Sequence, residues 1–132
     1  MNKKIYFPSA VVLMLLAIYS FKSSDIDYTK TELYFGLSKP DGRNVTNEEF
    51  LAFTDTVISK FFPEGFSVIN LDGKWYDPEK QKTISEESRL VVRLSKMNDE
   101  VSANIDTIRA KYKRYFNQQA VLRVDQKVDV SF

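Results

Sequence analysis

The sequence predicts a single α+β domain in which an antiparallel four-stranded sheet carries two helices on one face. Three observations lead there: stretches of period-two apolar alternation, two stretches of helical spacing with their own caps, and the order in which these follow one another. The 132 residues, 43% hydrophobic and 14% aromatic, suffice for one compact core and leave little for a second. Ten Phe and seven Tyr against four Gly and four Pro exclude a disordered or low-complexity chain.

In TELYFGLS, residues 31–38, Leu33, Phe35 and Leu37 alternate with Tyr34 and Gly36, the pattern of a strand with one strongly apolar face. SKPDG, residues 38–42, is a turn cluster. A helix then starts at VTNEEF: Thr46 caps it, Glu49 reaches back to the cap, and Val45 staples onto Phe50. Phe50, Phe53, Val57, Ile58 and Phe61 form its apolar stripe, and Pro63 and Gly65 end it. FSVINLDGKWY, residues 66–76, and TISEESRLVVRLS, residues 83–95, read as the arms of a long hairpin around the polar tip DPEKQK. Asn98 or Asp99 caps a second helix, with Val101, Ile105, Ile108, Tyr112 and Phe116 as its stripe and Lys111, Lys113 and Arg114 complementing the dipole at its end. A last strand runs through Val121 to Val124, followed by an extended tail to Phe132. Strand, helix, strand, strand, helix, strand is the order of a ferredoxin-like split βαβ fold, with strands one and three side by side in the centre. TELYFGLS and SRLVVRLS resemble each other, on this reading, because both are central strands under the same helices.

The N-terminus has a different character. Lys3 and Lys4 precede AVVLMLLAIY, residues 10–19, a run shorter than the roughly 20 apolar residues a membrane span needs. The expectation is a signal peptide over residues 1–20 or, if uncleaved, an inner-membrane anchor. A polar linker over 21–30 leads to a single domain over 31–132, exported to the periplasm or beyond. Without Lys3 and Lys4 the 19 basic side chains fall to 17 against 18 acidic ones, a formal charge of −1. A near-neutral domain has no global field to gather nucleic acid or anionic lipid, so no nucleic-acid partner is expected, and a membrane only through the N-terminal segment.

The chain has no His and no Cys. It therefore cannot build a Ser-His-Asp or Cys-His apparatus, a zinc site of His or Cys, or a disulfide. Gly36, Gly42, Gly65 and Gly73 stand alone, so no glycine loop cradles a phosphate. The acidic pairs Glu86-Glu87 and Asp99-Glu100 lack calcium-loop spacing and read as solvated surface. No metal or cofactor is expected, and no catalytic residue is assigned.

A sheet covered on one side must satisfy the other. If Leu33, Phe35, Leu90, Val92 and Leu94 face the helices, Tyr34, Gly36, Val91 and Arg93 face outward, and Arg123 joins them. Two guanidinium groups beside a tyrosine can hold a carboxylate or phosphate; the alternative is an ordinary half-exposed face or a homodimer interface. Trp75, the lone tryptophan, either anchors a ligand or packs across the hairpin. The binding candidates are thus Tyr34, Arg93, Arg123 and Trp75. The leading expectation is a non-catalytic exported interaction or small-ligand-binding module whose open face meets a second copy, an envelope protein or a small anionic ligand. The alternative is a small cofactor-independent enzyme of dimeric α+β barrel type, with Tyr34 activated by Arg93 or Arg123 in an enclosed pocket.

TELYFGLSKPDG, VTNEEF, the tryptophan in DGKWYDPE, ESRLVV, IRAKYKRYFNQQAVLRVD and the closing VSF, in that order and spacing, resemble a family of small, mostly exported bacterial proteins. That family is known as a domain of unknown function, number thirty-five seventy-four, and the resemblance covers roughly residues 30–132. It implies a bacterial exported domain of this length and brings no activity or catalytic residue with it. Many relatives carry a lipoprotein signal; a chain without cysteine departs from that pattern.

Overall fold

The computed structural model describes residues 27–131, so the expected signal peptide and most of the expected linker lie outside the described residues. Strand β1 (Tyr28–Gly36) leads into helix α1, which runs continuously through Asn47–Phe53, a π-helical turn Thr54–Ile58, and Ser59–Phe61. Strands β2 (Ser67–Asp77) and β3 (Lys82–Lys96) form the hairpin, helix α2 (Asp99–Phe116) crosses back, and β4 (Leu122–Val128) closes the sheet. The strand order is β2-β3-β1-β4, all antiparallel, the α+β arrangement expected, with β1 and β3 central. No helix among the described residues is long and apolar enough to cross a membrane.

Both helix starts form as their residues dictate. The Thr46 hydroxyl accepts from the Glu49 amide at 3.1 Å while the Glu49 carboxylate accepts from the Thr46 amide at 2.8 Å, and Val45 and Phe50 are both buried. Asn98 caps α2 by accepting from the Val101 amide at 2.8 Å. Helix α2 ends on Asn117 in the left-handed conformation, and α1 is stopped by a turn through Gly65, whose φ of 108° suits a residue without Cβ.

The π turn is a feature the apolar spacing did not announce. The hydroxyl of Ser59 donates to the Thr54 carbonyl five residues back, at 2.9 Å, and Thr54 donates to the Leu51 carbonyl at 2.7 Å. One extra residue in the turn rotates the end of the helix about its axis, so that Phe62 is buried and Phe61 only partly so.

The core lies between the helices and one sheet face. Phe35 is at its centre, with the rings of Tyr112, Phe50 and Phe53 edge-on at 4.7, 5.7 and 6.2 Å between centroids. The Tyr112 hydroxyl donates to the Gly36 carbonyl at 2.9 Å, which ties α2 to the end of β1. Burial in this apolar setting pushes the Tyr112 phenol far above its ordinary pKa.

Strand β3 corrects the expected alternation. Leu33 pairs with Val91 and Thr31 with Arg93, so Val91, Arg93 and Ser95 face the helices. Leu90, Val92 and Leu94 lie on the open face, the reverse of the expectation. In RLVVRL the phase of Leu90, Val92 and Leu94 is wholly apolar and the other holds Val91 between two arginines, so alternation alone turns the wrong phase inward; pairing with β1, which sets Val91 opposite the buried Leu33, decides the face. Toward the start of β1 the covered face turns polar, with Thr29, Thr31, Arg93 and Ser95 all buried.

Candidate functional site

The open face is built around β1. Lys30, Glu32 and Tyr34 run along it as a connected string: the Lys30 ammonium lies 3.0 Å from Glu32 Oε1, and the Tyr34 hydroxyl donates to Glu32 Oε2 at 2.9 Å. Hydrogen bonds from Lys30, then from Tyr34, hold the Glu32 carboxyl below its ordinary pKa, and the same carboxylate pushes the Tyr34 phenol above its own. Apolar rows flank this string on both sides. Tyr34 sits between Leu90 and Leu122, and Glu32 between Val92 and Val124. Ile69 of β2 pairs with Leu90 and continues the surface. Leu122 is 58% exposed, Leu94 47%, Ile69 46% and Val124 39%, so a sheet face that alternation would make polar is largely apolar.

The hairpin extends that face. Residues 82–86 of β3 overhang the end of β1 and pair with β2 alone, while the Glu87 carbonyl still accepts from the Leu37 amide at 3.1 Å. Trp75 lies on this arm opposite Ile84, in the same phase as Ile69 and Leu71, and is half exposed beside the exposed Tyr76.

The two arginines are not on the open face, which corrects the expected cluster with Tyr34. By register Arg123 opposes Leu33 and faces the helices with it. Arg123 is fully engaged: its Nε donates to Asp125 Oδ2 at 2.8 Å, and its Nη1 reaches Ser102 Oγ at 3.1 Å and Asp106 Oδ1 at 3.2 Å. This network stitches α2 to β4. Tyr34, on the other side of the sheet, meets neither arginine and has a raised rather than a lowered pKa, so the Tyr/Arg pocket of the enzymatic alternative does not assemble within the chain.

Arg93 is different. Its side chain is 6% exposed, stacks at 4.6 Å over the Phe62 ring, and reaches Glu64 Oε2 with Nη2 at 3.5 Å. Its Nε and Nη1, and the nearby Ser95 hydroxyl, are buried without a hydrogen-bond partner among the described residues. It lines a surface cleft of about 480 Å³ at the notch where β2 begins, together with Tyr28, Glu64, Phe66, Val92 and Leu94. The sequence contains the ingredients, Arg93 and the PEGF segment, but no spacing rule joins Arg93 to Glu64 and Phe66, 29 and 27 positions away.

Among the solved structures that share this fold are two of a phage SAM lyase. A phage SAM lyase in the apo state is 13% identical, with a TM-score of 0.58 over 81% of this chain and 86% of that one. A phage SAM lyase in complex with S-methyl-5'-thioadenosine is 15% identical, with a TM-score of 0.55 over 76% of this chain and 81% of that one. No curated protein matches the sequence. Residues 30–132, most of the chain, match the family described as Protein of unknown function (DUF3574), and the chain belongs to that family.

Proposed function

We propose that the domain is an exported binding module that self-associates through its open sheet face, a second copy covering the apolar rows beside the Lys30–Glu32–Tyr34 string. The observation that carries this reading is the exposure on one face of Leu122 and Val124 on one side of that string and of Leu94 and Ile69 on the other. The nine residues of β1 at about 3.3 Å each, and four strands about 4.8 Å apart, outline a face of about 600 Å². Side-chain relief raises its accessible area toward the roughly 800 Å² per partner of a standard interface. A second copy also suits the charges: Lys30 and Glu32 neutralise each other, so two such faces meet without net repulsion. The basic, then apolar, N-terminus supports export to the periplasm or beyond.

Light scattering after size exclusion tests the proposal. The expected result is a dimer, converted to monomer by Leu122→Asp, which changes an exposed side chain of the edge strand β4. A monomeric wild type at about 100 µM, where a specific dimer of this area assembles, would overturn it. So would a dimer indifferent to Leu122→Asp.

The likeness to a phage lyase supports a second reading, a small enzyme whose pocket is enclosed between two copies. Tyr34 is a poor candidate for its base, since its hydroxyl donates to Glu32 and that carboxylate pushes the phenol above its ordinary pKa. Release of S-methyl-5'-thioadenosine from SAM by the purified protein would support it, and its absence would leave the binding module.

A further inference from the structure

A buried guanidinium with two idle donors is costly, and such groups concentrate where a ligand completes the arrangement. Around Arg93 three chemistries converge on one cleft. Arg93 supplies the cation. Glu64 supplies a carboxylate whose side chain is 72% exposed, so it can move, and whose contact with Nη2 at 3.5 Å is long for a charge-assisted hydrogen bond. Phe66, Val92 and Leu94 supply an apolar wall. The volume of about 480 Å³ falls within the range of small-molecule sites.

We infer that the cleft beside Arg93 binds a small zwitterion of the α-amino-acid class with an apolar side chain. The ligand carboxylate takes the guanidinium, its ammonium takes Glu64, and its side chain lies on Phe66, Val92 and Leu94. The ligand inserts into the Arg93–Glu64 pair and replaces one long contact by two charge-assisted ones, so Glu64 acts as the resting partner that a ligand displaces. A plain inorganic anion satisfies Arg93 but repels Glu64 and leaves the apolar wall unused; a zwitterion matches all three. Arg123 is already saturated by Asp125, Ser102 and Asp106, and is not part of the site.

The cleft shares Val92 and Leu94 with the face proposed for self-association, but Arg93 faces the helices and Leu122 lies on β4 at the far side of β1 from β3, so Arg93→Met and Leu122→Asp test the two readings separately. The experiment uses the full-length chain and three probes: L-leucine, L-leucine methyl ester, which lacks the carboxylate, and 4-methylpentanoate, which lacks the ammonium. Titrations are followed by NMR at the methyl groups of Val92 and Leu94 and the ring of Phe66. Leucine shifts these resonances saturably, the ester does not, and Arg93→Met weakens leucine on the order of tenfold or more. Glu64→Gln, a change at an exposed side chain that leaves the fold intact, weakens leucine several-fold but leaves 4-methylpentanoate unchanged or tighter, because the competing carboxylate is gone. No saturable shift with leucine up to about 20 mM, weaker than which small-ligand contacts carry no specificity, overturns the proposal. Equal binding of the ester, or leucine binding unaltered in both variants, overturns it as well.

Discussion

Replacing Arg93 by methionine should stabilise the protein. Arg93 lies under the end of α1 with its side chain 6% exposed, and two of its donors have no acceptor among the described residues. Each buried unsatisfied donor costs about 1–3 kcal/mol, so the pair costs about 2–6. Stacking on Phe62 at 4.6 Å returns about 0.5–2 kcal/mol. The contact with Glu64 returns about 0–1, because that carboxylate is mostly in water. The central outcome is a net penalty of about 2 kcal/mol. Methionine keeps the unbranched stem against Phe62 and brings no donor, so Arg93→Met should remove that penalty. At about 2.1 cal/mol/K per residue for a domain of about 100 residues, 2 kcal/mol raises Tm by about 9 °C. The assay is reversible thermal unfolding followed by circular dichroism, wild type and variant at one protein concentration so that association contributes equally. A Tm unchanged or lowered would show that Arg93 already has its partners in the folded chain, and would remove the physical basis for a ligand at this cleft.

Tyr112→Phe keeps the ring among Phe35, Phe53 and Phe116 but leaves the Gly36 carbonyl without its hydroxyl donor, so a loss of about 1–2 kcal/mol is expected by urea unfolding. A loss below about 0.5 kcal/mol, the low end for a hydrogen bond, would mean that the hydrogen bond adds nothing to the packing. The acid limb of stability should depend on Asp106, whose carboxyl is held below its ordinary pKa by the Arg109 hydrogen bond first and by Arg123 after it. A folded pKa below the unfolded one means that this contribution is complete above the unfolded value and disappears as pH falls through the folded one. Between about pH 5 and pH 3, Asp106→Asn should therefore lose less Tm than wild type. Glu32, Asp41, Glu49 and Asp72 are depressed in the same sense, so the variant keeps part of the slope. Identical slopes would count against the Asp106 network.

Much of the fold is legible in the sequence because its signals are local. The capping box at Thr46 and Glu49 is satisfied within four residues, and the α2 stripe of Ile105, Ile108 and Tyr112 repeats at helical spacing. In β1 the alternation has one strongly apolar phase, and Leu33 and Phe35 are fully buried as expected. The candidate site is legible only in part. The alternation of β1 turns Tyr34 outward, and Trp75 lies on the hairpin beside its tip, both as their local patterns imply. Arg93 and Arg123 take the face opposite to the expected one for a single reason: alternation read alone turns the apolar phases, Leu90, Val92 and Leu94 or Leu122 and Val124, toward the core, whereas register against β1 sets Val91 and Arg123 opposite the buried Leu33 and turns those phases to the open face.

The sequence by itself determined the order of elements, the single core, the helix caps and the chemistries that a chain without histidine or cysteine cannot perform, because each depends on composition or on neighbours a few residues apart. Only the tertiary structure decided which face β3 and β4 present, and with it that the open face is apolar around Glu32 and Tyr34 while Arg93 is held, underpartnered, at a cleft with Glu64 and Phe66. Those relations join residues tens of positions apart through strand pairing and helix cover, and the free energy that selects them comes from burying Leu33, Phe35 and Val91 together, a term that no single segment contains.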